Sequence, residues 1–178
     1  VADYEGTFAL TAIDATGAAI EETVNITSAE DEDGQYYTIE GIPTMDPLFG
    51  MFNEKSHMMH IPAQNGANIT DEETGVEYEV VIYTMDSDGH TSTKDLILAY
   101  NGDGTISIDE SSEVIGLVAV AFNTADENDY FFVNNGCLGM SLTGIDTPDG
   151  IAPKLAKQHK ALDITKITPR KEIASARK

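Results

Sequence analysis

Between residues 4 and 11 apolar and polar side chains take turns. Tyr4, Phe8 and Leu10 fall on one side, Glu5, Thr7 and Thr11 on the other. Successive side chains of an extended chain point to opposite faces, so this period of two predicts a strand with one face buried. The same reading predicts strands over 22–27, 35–41, 48–53, 57–61 and 77–85. More follow over 93–100, 105–109, 114–122, 129–133 and 137–142. Between them stand Asp33-Gly34, Asn65-Gly66, Asp88-Gly89, Asp103-Gly104 and Asn135-Gly136, pairs that tolerate positive φ and predict tight turns. Pro62 lacks the ladder donor and predicts the end of its strand. About ten short strands joined in this way predict an all-β antiparallel meander, closed as a barrel or layered as a sandwich.

One stretch breaks the alternation. Residues 114–122 (VIGLVAVAF) are apolar on both faces, whereas an antiparallel barrel strand normally wets its outer face. Either something covers this strand from outside, the C-terminal segment being the candidate, or it lies at the centre of a sandwich. That segment follows Thr147-Pro148-Asp149-Gly150 and has a different pattern. Pro153 stands where a first helical turn tolerates proline, good helix formers follow it, and Pro169 restarts the pattern. The organisation expected is a β-barrel domain over 1–147 and a basic tail over 148–178.

Charge sharpens this division. The 178 residues hold 31 acids and 10 bases, a formal net charge of −21. Residues 1–153 carry only Lys55 and Lys94 against 29 acids, or −27, while 154–178 carry eight bases against two acids, or +6. A body so acidic excludes nucleic acid, which needs clustered Lys and Arg, and disfavours an anionic membrane surface. The expectation is that residues 154–178 dock on the body, with Leu155, Leu162, Ile164 and Ile167 making apolar contact, or mediate self-association. The longest apolar run, nine residues, falls short of the ~20 a membrane-spanning helix needs.

Little in the chain points to catalysis. Cys137 is the single cysteine, so an intramolecular disulfide and a cysteine zinc site are excluded. With no evident base beside it, it reads as a small core residue rather than a nucleophile. Ser141, in Gly139-Met140-Ser141-Leu142-Thr143-Gly144, sits in a motif one residue too long for a nucleophile elbow. His57 and His60, three apart on a strand, point to opposite faces and do not share a metal. No enzyme activity and no cofactor are expected, calcium being the one candidate. Residues 99–110 place Asn101 and Asp103 at the third and fifth positions of a calcium loop, Gly104 at its sharp turn and Glu110 at the twelfth. Ala99 supplies no ligand at the first position, and the strand-like flanks fit a plain hairpin turn instead. Clusters such as Asp86-Ser87-Asp88 and Asp126-Glu127-Asn128-Asp129 read as soluble turns that blunt strand edges.

A methionine-rich stretch is the remaining candidate. Met45, Met51, Met58 and Met59 lie with Phe49 and Phe52 within fifteen residues. Thioethers and aromatics line adaptable binding surfaces, and core packing of a hairpin explains them as well.

The order of features resembles small secreted β domains of Bacteroidetes surface lipoproteins, including the calycin-like barrels. The resemblance is carried by Tyr4-Glu5-Gly6-Thr7-Phe8, by Tyr37-Thr38-Ile39-Glu40-Gly41 and by the strand over 48–53 with His60-Ile61-Pro62-Ala63-Gln64. Asn101-Gly102-Asp103-Gly104-Thr105-Ile106 completes it. The basic tail has no counterpart in that pattern. The resemblance implies a lipocalin-like barrel in an exported protein, at the periplasmic or outer-membrane surface. It is then held by a lipid anchor whose signal peptide and cysteine lie upstream of Val1, and no catalytic residue carries over. A calycin-like barrel places its ligand at the mouth, near Phe49, Met51, Met58 and Tyr83. The expected function is a non-enzymatic surface module that binds a small apolar or sugar-like ligand, a glycan included, or a surface partner. The alternatives are a structural spacer or self-assembly module, and a weak calcium-binding extracellular domain.

Overall fold

The computed structural model describes residues 4–145. Docking of the tail over 148–178, and self-association through 154–178, lie outside the described residues. The first strands are β1 (Gly6–Ile13), β2 (Ala19–Asp31), β3 (Gly34–Glu40), β4 (Leu48–Asn53) and β5 (Met58–Ile61). Three short strands and one long one follow: β6 (Gln64–Asn65), β7 (Ile69–Thr70), β8 (Glu77–Met85) and β9 (Thr91–Ser92). The last are β10 (Leu96–Tyr100), β11 (Thr105–Ile108), β12 (Gly116–Asn123), β13 (Asp126–Phe132) and β14 (Cys137–Gly144). All pairings among the described residues are antiparallel. The ring β1-β2-β3-β4-β5-β10-β11-β14 closes when β14 pairs with β1, which makes an eight-stranded barrel with additional strands. The choice between barrel and sandwich therefore falls to the barrel.

The alternation dictates what fills it. Phe8 lies opposite Val24 on one side and Gly144 on the other, and Leu10 lies opposite Leu142, so these positions share the inner face. With them Ile26, Tyr37, Ile39, Leu48, Met59, Ile61, Leu96, Leu98 and Ile106 form one buried cluster, each at most 2% exposed. Gly50 makes room for Met59. A Cβ there would stand 3.2 Å from both Cγ and Sδ of Met59. The barrel interior is thus occupied by side chains, as expected of eight strands.

Tyr4 closes one end. Its hydroxyl accepts from the Tyr100 amide at 3.1 Å, donates to the His57 carbonyl at 3.0 Å and lies 3.3 Å from the Leu98 carbonyl. Its ring packs against Tyr37 and Tyr100, with centroids 5.7 and 6.4 Å away.

The wall between β5 and β14 is built twice. At the level of Ser141 and Thr143, β14 pairs with β11, and β5 pairs with β10. At the level of Cys137 and Leu138, β14 pairs with β12, which pairs with β8. The chain leaving β5 then continues as β6, which pairs with β8. The β8–β12 pair, flanked by β13, therefore forms a second sheet branching from the barrel. Its inner face sends Val80, Ile82, Leu117, Ala119 and Ala121 into the barrel core. Its outer face carries Val81, Tyr83, Met85, Val118, Val120 and Phe122 in a separate buried cluster. This accounts for the two apolar faces of residues 114–122.

Two local expectations are corrected. Asn65-Gly66 is not a turn: Asn65 ends β6, and the Gly66 amide bonds the Val80 carbonyl at 2.8 Å. Glycine serves close approach there, since a Cβ would stand 2.9 Å from Val80 Cγ1. The acidic run 126–129 is likewise strand rather than turn, because β13 pairs with β12 and its carboxylates lie in water.

Candidate functional site

The β1–β2 turn, the β3–β4 connection and the β13–β14 turn meet at the barrel end opposite Tyr4. Asp14 organises the first of these. Its Oδ1 accepts from Thr16 Oγ1 at 2.6 Å and from the amides of Thr16 and Ala18 at 2.8 and 3.0 Å. Partial burial pushes this carboxyl up, but the bonds from Thr16, Ala18 and Gly17 outweigh it and hold it below the usual carboxylate range. The Ala15 amide then bonds the Asn135 carbonyl at 2.8 Å and ties the first turn to the third. Asn134 links the third turn to its surroundings. Its Oδ1 accepts from the amides of Gly136 (2.9 Å) and Ala119 (3.2 Å), and its Nδ2 donates to Thr44 Oγ1 at 2.7 Å. The β3–β4 connection folds under the others because Gly41, at φ 111°, passes so close to β2 that a Cβ would lie 2.4 Å from the Thr23 carbonyl.

These three segments enclose a cleft of about 560 Å³. Ile20, Ile42, Pro43, Met45 and Cys137 supply its apolar surface, and Asp14, Glu21, Glu22, Asn134 and Asn135 its polar groups. Glu22 lies opposite Leu10 in the register and so belongs to the inward-facing row of β2, at the point where that row reaches solvent. The cleft offers carboxylate acceptors and amide groups above an apolar floor, a combination suited to hydroxyl-rich or cationic ligands and hostile to anions. Cys137 gives it no nucleophile. The residue is 2% exposed, and burial pushes its thiol up to about 12.

A second cavity of about 350 Å³ lies near the Tyr4 end, lined by Tyr4, Phe52, Ser56, His57, Met58, Ala99, Tyr100 and Asp109. Asp109 accepts from the hydroxyl and the amide of Ser111, and these bonds lower its carboxyl pKa against a smaller rise from burial.

The four residues expected at a barrel mouth are not brought together. Phe49 and Met51 lie on the outward row of β4, where Phe49 stacks on Tyr36 with centroids 5.5 Å apart and Met51 is 37% exposed. Met58 borders the second cavity, and Tyr83 is fully buried in the outer cluster of β8 and β12. The mouth takes Pro43 and Met45 from the methionine-rich stretch instead. Ile20, Glu21, Glu22, Asn134 and Asn135 carry no sequence signal of a site beyond the turn pair Asn135-Gly136.

The calcium candidates are also separated. Asn101 Nδ2 donates to Thr105 Oγ1 and Ser107 Oγ, both at 3.0 Å, and Asp103 accepts from the Thr105 amide at 3.1 Å and from its hydroxyl. These bonds close the β10–β11 hairpin, while Glu110 follows the far end of β11. Among the described residues the metal-type groups that do converge are Asp86, Asp88 and His90, within 4.8 Å of one another on the β8–β9 turn. There Asp86 Oδ1 is already the acceptor for the Asp88 and His90 amides, at 2.9 and 3.0 Å. His60, on the outward row of β5, faces Asp95 at 3.3 Å.

No known family, curated protein or solved structure matches this chain.

Proposed function

We propose that this protein is a non-enzymatic binding module whose mouth cleft takes a small, sugar-like ligand carrying an apolar face. The observation that carries this reading is the division of space in the barrel. Its interior is filled by Leu10, Tyr37, Met59 and their neighbours, whereas open volume lies at the mouth between Glu21, Glu22, Asn135 and the Ile42–Met45 wall. A filled barrel leaves no room for a deeply enclosed apolar ligand, and carboxylate and amide groups over an apolar floor match alternating hydroxyls and C–H faces. An exported setting at a cell surface, with a lipid anchor, is part of the proposal and rests on the resemblance of the strand-and-turn pattern. Calcium at Asn101, Asp103 and Glu110 is not, since the hairpin uses the first two and separates them from the third.

The test is amide-resolved NMR of the protein titrated with neutral mono- and disaccharides, repeated with Glu22→Ala and Asn135→Ala. Saturable shifts at residues 19–22, 42–45 and 134–137, reduced in both variants, are expected. Shifts confined to other surfaces, or none across the panel, sink the reading. A structural spacer is the second reading, favoured by the same filled interior. It requires that the cleft variants leave every binding and stability readout unchanged.

A further inference from the structure

The outer face of the second sheet is the least expected feature of the molecule. On β8 the outward row reads Glu77, Glu79, Val81, Tyr83, Met85, and on β12 it reads Gly116, Val118, Val120, Phe122, with Val118 opposite Tyr83 and Val120 opposite Val81. Tyr130 and Phe132 of β13 continue it, since they lie opposite Phe122 and Val120. Val81, Tyr83, Met85, Val118 and Val120 are 0% exposed and Phe122 2%. Among the described residues the apolar groups packed with them from outside the sheet are Ala15, Ile115 and Leu138, all at one end. A half-dozen large apolar side chains on the outside of a barrel need a cover of comparable extent.

The outer wall of β14 tells the same story independently. Ser141 and Thr143 lie opposite Thr11 and Ala9, so they point away from the barrel interior. They are nonetheless 6% and 3% exposed, and their hydroxyls meet no hydrogen-bond partner among the described residues. Thr105, opposite Thr143 on β11, is 0% exposed. A buried band therefore runs from the end of β14, back along its outer side to Leu138, and on to the outer face of β12 and β8.

We propose that this band is the seat of the chain's own residues 146–178. They begin where the band begins, immediately after Ile145, whose amide bonds the Thr7 carbonyl at 3.0 Å. Thirty-three residues, at up to ~3.3 Å each when extended, exceed the combined length of β14 and β12, eight residues apiece, about twofold. The chemistry matches as well. Leu155, Leu162, Ile164 and Ile167 supply apolar groups for Val81, Tyr83, Val118 and Val120. Eight Lys and Arg lie among the tail residues, and the far end of the face is acidic, with Glu77 and Glu79 on its own row and Asp126, Glu127 and Asp129 on β13. A cationic amphipathic strap is thus held by apolar burial near Met85 and by charge near Glu77.

Trypsin tests this on the full chain, because eight of its ten Lys and Arg residues lie in the strap. At low salt, cleavage after Lys154, Lys157 and Lys160 is expected to be at least about tenfold slower than in a synthetic peptide of residues 148–178. That protection is expected to be independent of protein concentration and weaker at high salt. Leu162→Asp with Ile164→Asp, which alter only the strap, are expected to abolish protection while the β-sheet circular dichroism signal persists. Cleavage at the peptide's rate in the wild type overturns the proposal. So does protection that appears only where sedimentation detects dimers, which assigns the face to a second copy's tail.

Discussion

Gln64 is 3% exposed, and its side chain does the work of a strand. Its Oε1 accepts from the Phe49 amide at 2.8 Å, while its Nε2 donates to the carbonyls of Phe49 and Pro62, both at 2.9 Å. The start of β4 is satisfied in this way where the chain between β5 and β6 turns aside. Gln64→Leu keeps the volume and deletes the bonds, so each stranded backbone group is expected to cost ~1–3 kcal/mol, read as a lower midpoint in urea denaturation. Gln64→Glu, which keeps one acceptor and loses the donor, should also destabilise. Cys137 gives a second residue-level prediction. Burial pushes its thiol up to about 12 and leaves it protonated and out of reach, so a disulfide reagent should modify it no faster than the protein opens. Rapid stoichiometric labelling of the native protein contradicts this placement. That the cysteine is buried was legible from its apolar neighbours and missing base. The roles of Phe49 and Met51 were not, because periodicity tells which residues share a face and not whether that face is inside. On β4 the inward row is Leu48, Gly50 and Phe52, and the small Gly50 leaves that row with less apolar bulk than the outward Phe49 and Met51 suggest.

At the scale of elements the junction of β12 with β14 decides whether the second sheet can branch from the barrel. Gly116 sits there with Leu138 as its partner, and a Cβ would lie 2.3 Å from the Cys137 carbonyl and 2.8 Å from Leu138 Cα. Both are backbone atoms that cannot swing aside. Gly116→Ala is therefore expected to cost about 3 kcal/mol or more in thermal or urea unfolding. Gly102→Ala makes the control. It has open space around its Cβ but a φ of 83°, so only the left-handed strain of ~1–2 kcal/mol applies. Equal losses in the two variants remove the argument for the junction. The long strands were legible because alternation persists over enough residues to outvote local noise, and 48–53 and 77–85 match β4 and β8 end to end. The two-residue strands β6, β7 and β9 are too short to carry a period. They exist because β8 offers them an edge, which is a tertiary cause. The branch itself was only half legible: an apolar run on both faces announced two buried sides without saying that one of them packs into the barrel core.

At the scale of the whole molecule two acid effects oppose each other. Asp14 and Asp109 have carboxyl pKa values lowered by their turns, so they contribute stability above their unfolded value of about 3.9, lost as pH falls through the folded value. Both side chains are largely solvated, which keeps that contribution small. Against it stands the repulsion among 31 acids, although Glu113 pairs with Lys94 at 2.8 Å. Repulsion spread over a net charge of −21 acts across tens of ångströms at low ionic strength and is cut to its nearest neighbours by salt. Raising sodium chloride from about 10 mM to about 0.5 M at pH 7, which shortens the screening length from ~30 Å to a few ångströms, should therefore raise Tm. Lowering pH from 7 towards 5 should not reduce stability, and the decline should begin only below about pH 4, where Asp14 and Asp109 lose their turns. A Tm that falls with salt at pH 7 means that attraction between unlike charges, not repulsion among the acids, dominates the folded state. In that case the trypsin protection of the strap should disappear over the same range of salt.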